Sequence, residues 1–198
     1  MAALVDIYNL AIGRIGETST IADPDESSVP ARSCKRFYPL ARDVCLEAAS
    51  WPFAKRVAVP VALVDPIGVW PYAWAKPGDA LVVRRMYLDD SLANECDWQE
   101  LSYVGSDDAT RPVLVTDDEP AWIEYTAKEY DPSKFSAMFV DALAWKLAAD
   151  IAMSMARGRD LRSDALQMYQ GVIQSAIAHS MKVQRKTRPD NEFIRARA

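Results

Sequence analysis

His179 is the only histidine among 198 residues, so no Ser-His-Asp arrangement, no two-histidine metal site and no histidine acid–base pair can be assembled within one chain. It reads as a structural or surface residue near the end of a helix. Carboxylates are the next candidates: Asp23-Asp25-Glu26, Asp89-Asp90, Asp107-Asp108 and Asp117-Asp118-Glu119 could hold calcium or act as a glycosidase pair. None has the alternating acidic spacing ending in glycine that wraps a cation, and all fall where turns are expected. Turn formation is the reading, with weak metal binding as the alternative. Neither a GxSxG elbow nor a GxxxxGK phosphate loop occurs, which argues against nucleotide chemistry. No catalytic, cofactor-binding or metal residue is assigned from these patterns, and no cofactor is expected.

Three cysteines remain. Cys34 and Cys45 share one expected helix eleven positions apart, roughly 16 Å at 1.5 Å per residue, whereas a disulfide needs Cα atoms within about 7 Å. Cys96 stands alone in a polar stretch, and no CxxC pair suggests zinc. All three read as buried or incidental thiols. The aromatic run Trp70-Pro71-Tyr72-Ala73-Trp74 could stack sugars or bases. Such clusters more often seal a core or a subunit contact, and Trp51, Trp70, Tyr72 and Trp74 are assigned to that role.

The elements that would position these residues follow from apolar periodicity. Leu4, Ile7, Tyr8, Ala11, Ile12 and Ile15 predict a helix over 2–15 stopped by Gly16. After a turn-forming stretch, Ser28 and Pro30 open a second helix over 30–49, with Cys34, Phe37, Tyr38, Ala41, Val44, Cys45 and Ala48 inward and a kink expected at Pro39. At Trp51 the character changes, because five of the twelve prolines fall between 51 and 77. Strands are predicted at 56–63, 80–88, 98–104, 112–116 and 121–127, the last two as a hairpin around Asp117-Asp118-Glu119-Pro120. Helix returns at Asp131-Pro132 and runs over 132–156. A final helix over 161–183 carries Leu166, Tyr169, Val172, Ile173, Ala176, Ile177 and Ser180 inward.

The expected fold is therefore α+β: a four-helix bundle built from two helical pairs (1–50 and 131–183), a β-rich insertion at 51–130, and an extended basic C-terminal arm at 184–198. Half the residues are apolar and a quarter charged, a globular composition. No basic start followed by an apolar stretch suggests a secretory signal, and no run nears the roughly 18 apolar residues of a membrane helix. A protein made in the cytoplasm, with no membrane partner, is expected. The net charge of −5 is unevenly spread. Lys182, Arg185, Lys186, Arg188, Arg195 and Arg197 against Asp190 and Glu192 give residues 182–198 a net +4, leaving −9 on the rest. The tail is suited to an acidic partner, or is a solvated end.

Several stretches, taken in order, resemble the head-to-tail adaptors of short-tailed bacteriophages, the tail tubular protein A family. They are Val5-Asp6-Ile7-Tyr8-Asn9-Leu10-Ala11-Ile12 with Arg14-Ile15-Gly16, Ala41-Arg42-Asp43-Val44-Cys45-Leu46-Glu47 leading to Trp51-Pro52-Phe53-Ala54, Trp70-Pro71-Tyr72-Ala73-Trp74 with Pro77-Gly78-Asp79, and Phe139-Val140-Asp141-Ala142-Leu143-Ala144-Trp145-Lys146-Leu147-Ala148. With the arginine-ended tail they span nearly the whole chain. No single piece is specific; order and spacing carry the resemblance. It implies a virion protein of the phage neck or tail with no enzymatic activity. Such a protein forms a homo-oligomeric ring, commonly twelve-fold, between the portal protein and the tail nozzle protein, leaving a channel through which DNA passes without specific binding. Arg185, Lys186, Arg188, Phe193, Ile194, Arg195 and Arg197 are the expected portal contacts, combining charge with an apolar anchor. Two other classes stay open: a glycan-binding or glycan-cleaving tail module using the Trp cluster and Asp turns, and a DNA-binding accessory protein using the basic tail.

Overall fold

A computed structural model of the chain describes residues 2–63, 67–89, 92, 94–105, 108–155 and 159–183. In order they form α1 (Leu4–Arg14), α2 (Val29–Glu47), β1 (Lys55–Ala58), β2 (Val61–Ala62), β3 (Tyr72–Ala75), β4 (Ala80–Tyr87), β5 (Trp98–Val104), β6 (Thr110–Thr116), β7 (Trp122–Ala127), a 3₁₀ turn (Pro132–Lys134), α3 (Ala137–Ala152) and α4 (Arg159–Val183).

Local chemistry sets the helix ends. Gly16 takes φ +75° after α1, and the Gly16 and Glu17 N–H groups donate back to the carbonyls of Gly13 and Ile12 at 3.1 and 3.0 Å. These bonds satisfy carbonyls that the helix leaves open. Ser28 accepts from the Ala31 N–H at 3.3 Å to open α2, which runs unbroken through Pro39. The third helix starts later than the sequence suggests. Asp131 caps only the 3₁₀ turn, accepting from the Ser133 N–H at 2.9 Å, and Phe135 turns extended. Its ring then meets Phe53 and Phe139 at centroid separations of 5.4 and 4.8 Å, and Ser136 becomes the cap of α3. Aromatic packing at Phe135 outweighs one continuous turn of helix.

The helices do not form a bundle of two pairs. α3 is buried around much of its circumference, at Phe139, Val140, Ala142, Leu143, Ala144, Leu147, Ala148, Ala149, Ile151 and Ala152. A helix apolar on more than one side belongs in the middle. Accordingly α1, α2 and α4 each pack on α3, while α1 meets α2 only marginally. Arg14 fixes α1 to this hub: its guanidinium donates to the Asp141 carbonyl at 2.7 Å, pairs with the Asp141 carboxylate and lies 4.3 Å over the Trp145 ring. The last two helices do pack on each other as expected, but the first two barely meet, so the expected bundle of two pairs is replaced by three helices around a fourth.

The middle of the chain folds as two antiparallel sheets, β1-β7-β4 and β2-β3-β6-β5. The predicted strand at 56–63 is split at Val59-Pro60, so its first half edges one sheet and its second half the other. The predicted hairpin at 112–127 does not form, because β6 and β7 lie in different sheets. β3 was not expected as a strand; the Pro-flanked aromatic run that masked it pairs with β2 and β6. Trp74, Met86, Leu114, Ile123 and Tyr125 fill the space between the sheets, and Ala73, Val113 and Val115 lie under Leu63, Ile67 and Trp70 on the outer face.

Two bulges couple this region to the helices. In β4 the register shifts between Ala80 and Val82 and again between Val83 and Arg85, leaving Leu81 and Arg84 as the extra residues. Bulges re-aim side chains. Leu81 packs against the helical core, and Arg84 reaches the end of α2, where Nη2 donates to the carbonyls of Glu47, Ala49 and Leu46 at 2.8, 3.0 and 3.3 Å. Its Nε also donates to Thr126 Oγ1 at 2.9 Å. Beside it the buried Trp51 indole donates to the Cys45 carbonyl at 2.8 Å and stands edge-on to Phe139 at 5.1 Å.

Trp51→Ala removes the largest fully buried side chain and is expected to cost about 3–5 kcal/mol in chemical denaturation. Arg84→Met is expected to cost about 2 kcal/mol by uncapping α2, and Arg84→Lys should restore little of it, since an ammonium cannot reproduce the planar fork that serves three carbonyls and Thr126 at once. An Arg84→Met chain as stable as the parent would show the joint to be incidental.

A pH dependence follows from Glu129, buried between β7 and the 3₁₀ turn. Burial pushes its carboxyl up, but the Asp131 N–H at 3.1 Å, Lys134 at 3.0 Å and Arg56 outweigh burial and hold it below the usual carboxylate range. A depressed pKa means its stabilisation is complete above the unfolded value, about 4.3, and is lost as pH falls through the folded one. Thermal melts between pH 3 and pH 6 should show a shallower acid dependence for Glu129→Gln than for the parent chain.

Candidate functional site

The end of α4 returns to this joint. Buried Ser180 donates to the Ser50 carbonyl at 3.4 Å, which places the last described turn of α4 beside the end of α2. Between α4, the 48–50 segment and the β1-β7-β4 sheet lies a cleft of about 630 Å³. Its walls combine apolar Ala48, Ile177 and Met181 with Lys55, Arg84, Arg85, Tyr87 and Glu124.

Strand alternation explains that mix. Ile123 and Tyr125 face the inter-sheet core, so Glu124 and Thr126 must face the helices. Glu124 is buried there and is held by Lys55 at 2.6 Å and by the Tyr87 hydroxyl at 3.0 Å. Burial, followed by that bond to Glu124, pushes the Tyr87 phenol up. Arg85 pairs with Glu95 at 3.0 Å. Each ionised group thus has a partner, and what the cleft offers is a preformed polar seat at the root of the C-terminal segment. A nucleophile with a base in reach is not among its described residues.

The structure disperses the other candidates. His179 is exposed on α4. Cys34 and Cys45 are buried, and burial pushes both thiols up to about 12, which holds them protonated and unreactive at neutral pH. Cys96 is buried as well, with its N–H bonded to the Met86 carbonyl at 3.0 Å. The acidic cluster at 23–26 acts as a local clasp. Asp23 accepts from the Asp25 N–H at 2.8 Å, Glu26 accepts from the Ala22 N–H at 2.9 Å, and Asp25 pairs with Lys35 at 2.6 Å. No group of three or more metal-ligating side chains gathers among the described residues.

The aromatic candidates separate. Trp51 lies in the helical core, Trp74 between the sheets, and Trp70 partly buried on the outer sheet face. Tyr72 is 37% exposed and stacks on Trp74 at 6.4 Å. A Trp74 ring enclosed in this way cannot serve as a sugar platform. Arg185, Lys186, Arg188, Phe193, Ile194, Arg195 and Arg197 lie outside the described residues. Sequence reasoning missed Arg84 and Glu124. Each looks like an ordinary charged residue in a strand, and only the bulge and the sheet's placement against the helices give it a role. No helix among the described residues is long and apolar enough to cross a membrane. Compared with known proteins, the chain matches no family model and no curated sequence.

Proposed function

We propose that this chain is a structural head-to-tail adaptor of a short-tailed phage, assembling as a ring between portal and tail nozzle and working through surfaces rather than through a reaction. The observation that carries the reading is the ordered set of segments Val5–Gly16, Ala41–Ala54, Trp70–Asp79 and Phe139–Ala148 that resemble that family. Their placement is compatible with it. The first, second and last build the helical core, and the third supplies β3 and the turn into β4.

The charge division gives the reading a mechanism. Residues 1–181 carry a net −9, and an acidic wall repels phosphate and lets a genome slide, whereas a basic wall would hold it. The segment 182–198, at net +4, starts at the end of α4 in sequence, and Met181 just before it lines the polar cleft. Charge attraction there speeds encounter with an acidic portal surface, and Phe193-Ile194 slows release. A closed ring needs head-to-tail contacts between unlike faces.

Mixing the purified chain with the portal of the same virus and measuring particle mass tests the assembly, with a ring of adaptors on the portal as the expected product. Deleting residues 184–198 should leave the melting temperature of the isolated chain nearly unchanged but abolish attachment. A truncated chain that docks with full affinity would remove the arm from the mechanism, and a full chain that never joins the portal would end the adaptor reading.

A further inference from the structure

We infer that two copies of this chain pair in solution through β5, edge to edge and antiparallel, fusing their four-stranded sheets into one continuous sheet. The inference stands apart from the adaptor reading, since it rests on how the sheet edges are finished.

A strand edge with free N–H and C=O groups invites another chain, and proteins blunt such edges with proline, bulges, charge or short length. Here, among the described residues, three of the four edges are blunted. β1 has four residues, including Lys55 and Arg56. β4 carries two bulges, and its outer side is covered where the Cys96 N–H donates to the Met86 carbonyl and the Leu88 N–H to the Asn94 carbonyl. β2 has two residues and follows Pro60. The Leu63 N–H donates to Ala73, so by alternation positions 60 and 62 face the open side, and proline stands where an outward N–H would be.

β5 lacks these devices apart from one charge, Glu100, which is already neutralised by Lys76. Its register with β6 is unbroken over seven residues, without proline or bulge. The Gly105 N–H donates to the Ala109 carbonyl at 3.1 Å, which makes 99, 101 and 103 the positions bonded to β6 and turns the backbones of Trp98, Glu100, Ser102 and Val104 outward. Pro112, with no N–H to give, faces Ser102 at one of the positions that needs none. None of the outward backbone groups has a backbone partner among the described residues.

This edge is complementary to itself. A two-fold axis through Leu101 sets 98 against 104 and 100 against 102, and every outward group then finds its mate. On one face Trp98 meets Val104, an aromatic–β-branched pair that covers a valine now 55% exposed. Glu100 meets Ser102, so no like charges lie directly opposite. The two Glu100 carboxylates come diagonal to each other, each already paired with its own Lys76 at 2.8 Å. On the other face Leu101 meets Leu101, and Gln99 meets Tyr103. An isologous pair closes on itself and cannot build a ring, so any ring contacts use other surface, and the pair is the form of the free chain.

Sedimentation of the full chain over a wide concentration range should show a monomer–dimer equilibrium. Ser102→Glu, which sets two carboxylates against Glu100, should raise the dimer dissociation constant about tenfold, whereas Ser102→Lys should not raise it. At Leu101 the axis brings the two Cα atoms to about 4.5 Å, within disulfide range. Under mild oxidation Leu101→Cys should therefore cross-link, and Gln99→Cys, offset from its own copy, should not. A chain that stays monomeric up to millimolar concentration overturns the proposal. So does a dimer indifferent to the charge placed at 102, or one in which Gln99→Cys cross-links as readily as Leu101→Cys.

Discussion

The carbonyls at the end of α2 are the constraint on which the rest of this structure depends. A helix ending inside a protein leaves its last C=O groups needing donors, and α2 ends where the chain enters the sheets, with no glycine to supply a backbone cap. Arg84 meets that need from across the boundary, and Trp51 meets it for Cys45. Because a cation at a helix C-terminus also opposes the helix dipole, one side chain satisfies the carbonyls, complements the dipole and holds the β1-β7-β4 sheet against the helices. The sheet accommodates this with bulges. Straightening β4 would return Arg84 and Leu81 to ordinary alternation and take both away from the helical core.

A second constraint comes from α3. Its alanines let neighbouring helices approach closely, while Phe139, Leu143, Leu147 and Ile151 fill the space around them. A hub of this kind leaves α1, α2 and α4 with one covered face and one free face each, and α4 in particular keeps much of its length in solvent. Under the proposed adaptor role, such faces are open to neighbours without rebuilding the supporting core. The same geometry ends α4 at the joint, so the cleft, the clamp on α2 and the start of the basic segment share one place.

Most buried polar groups described in this chain are already engaged. Its buried thiols are held protonated, its acidic cluster at 23–26 closes a turn, and the buried carboxylates Glu124 and Glu129 are matched by lysines, a tyrosine and backbone. Left open among the described residues are the outward backbone groups of β5 and the buried Tyr38 hydroxyl and Trp74 indole N–H, alongside an uneven division of charge between body and tail.

Sequence alone determined what is local. Helix existence follows from the 3.6-residue period, capping from Ser28 and Gly16, and the change of regime at Trp51 from the prolines; strands at 80–88 and 98–104 follow from β-branched and aromatic runs. The apolar run of Phe139 to Ala152 also carried the sign that α3 is buried on several sides. Tertiary structure decided the rest, because the deciding interactions join residues distant in the chain. Whether β6 returns to β7 or crosses to another sheet depends on which apolar faces must be covered together, and hairpin signals at Asp117–Pro120 are silent on that. β3 was hidden because proline and tryptophan signal a break locally, its near neighbour β2 is only two residues long, and its longer partner β6 lies far along the chain. Arg84 and Glu124 acquire roles only once a bulge and a neighbouring helix end are in place, and neither has a signature in the linear order of residues.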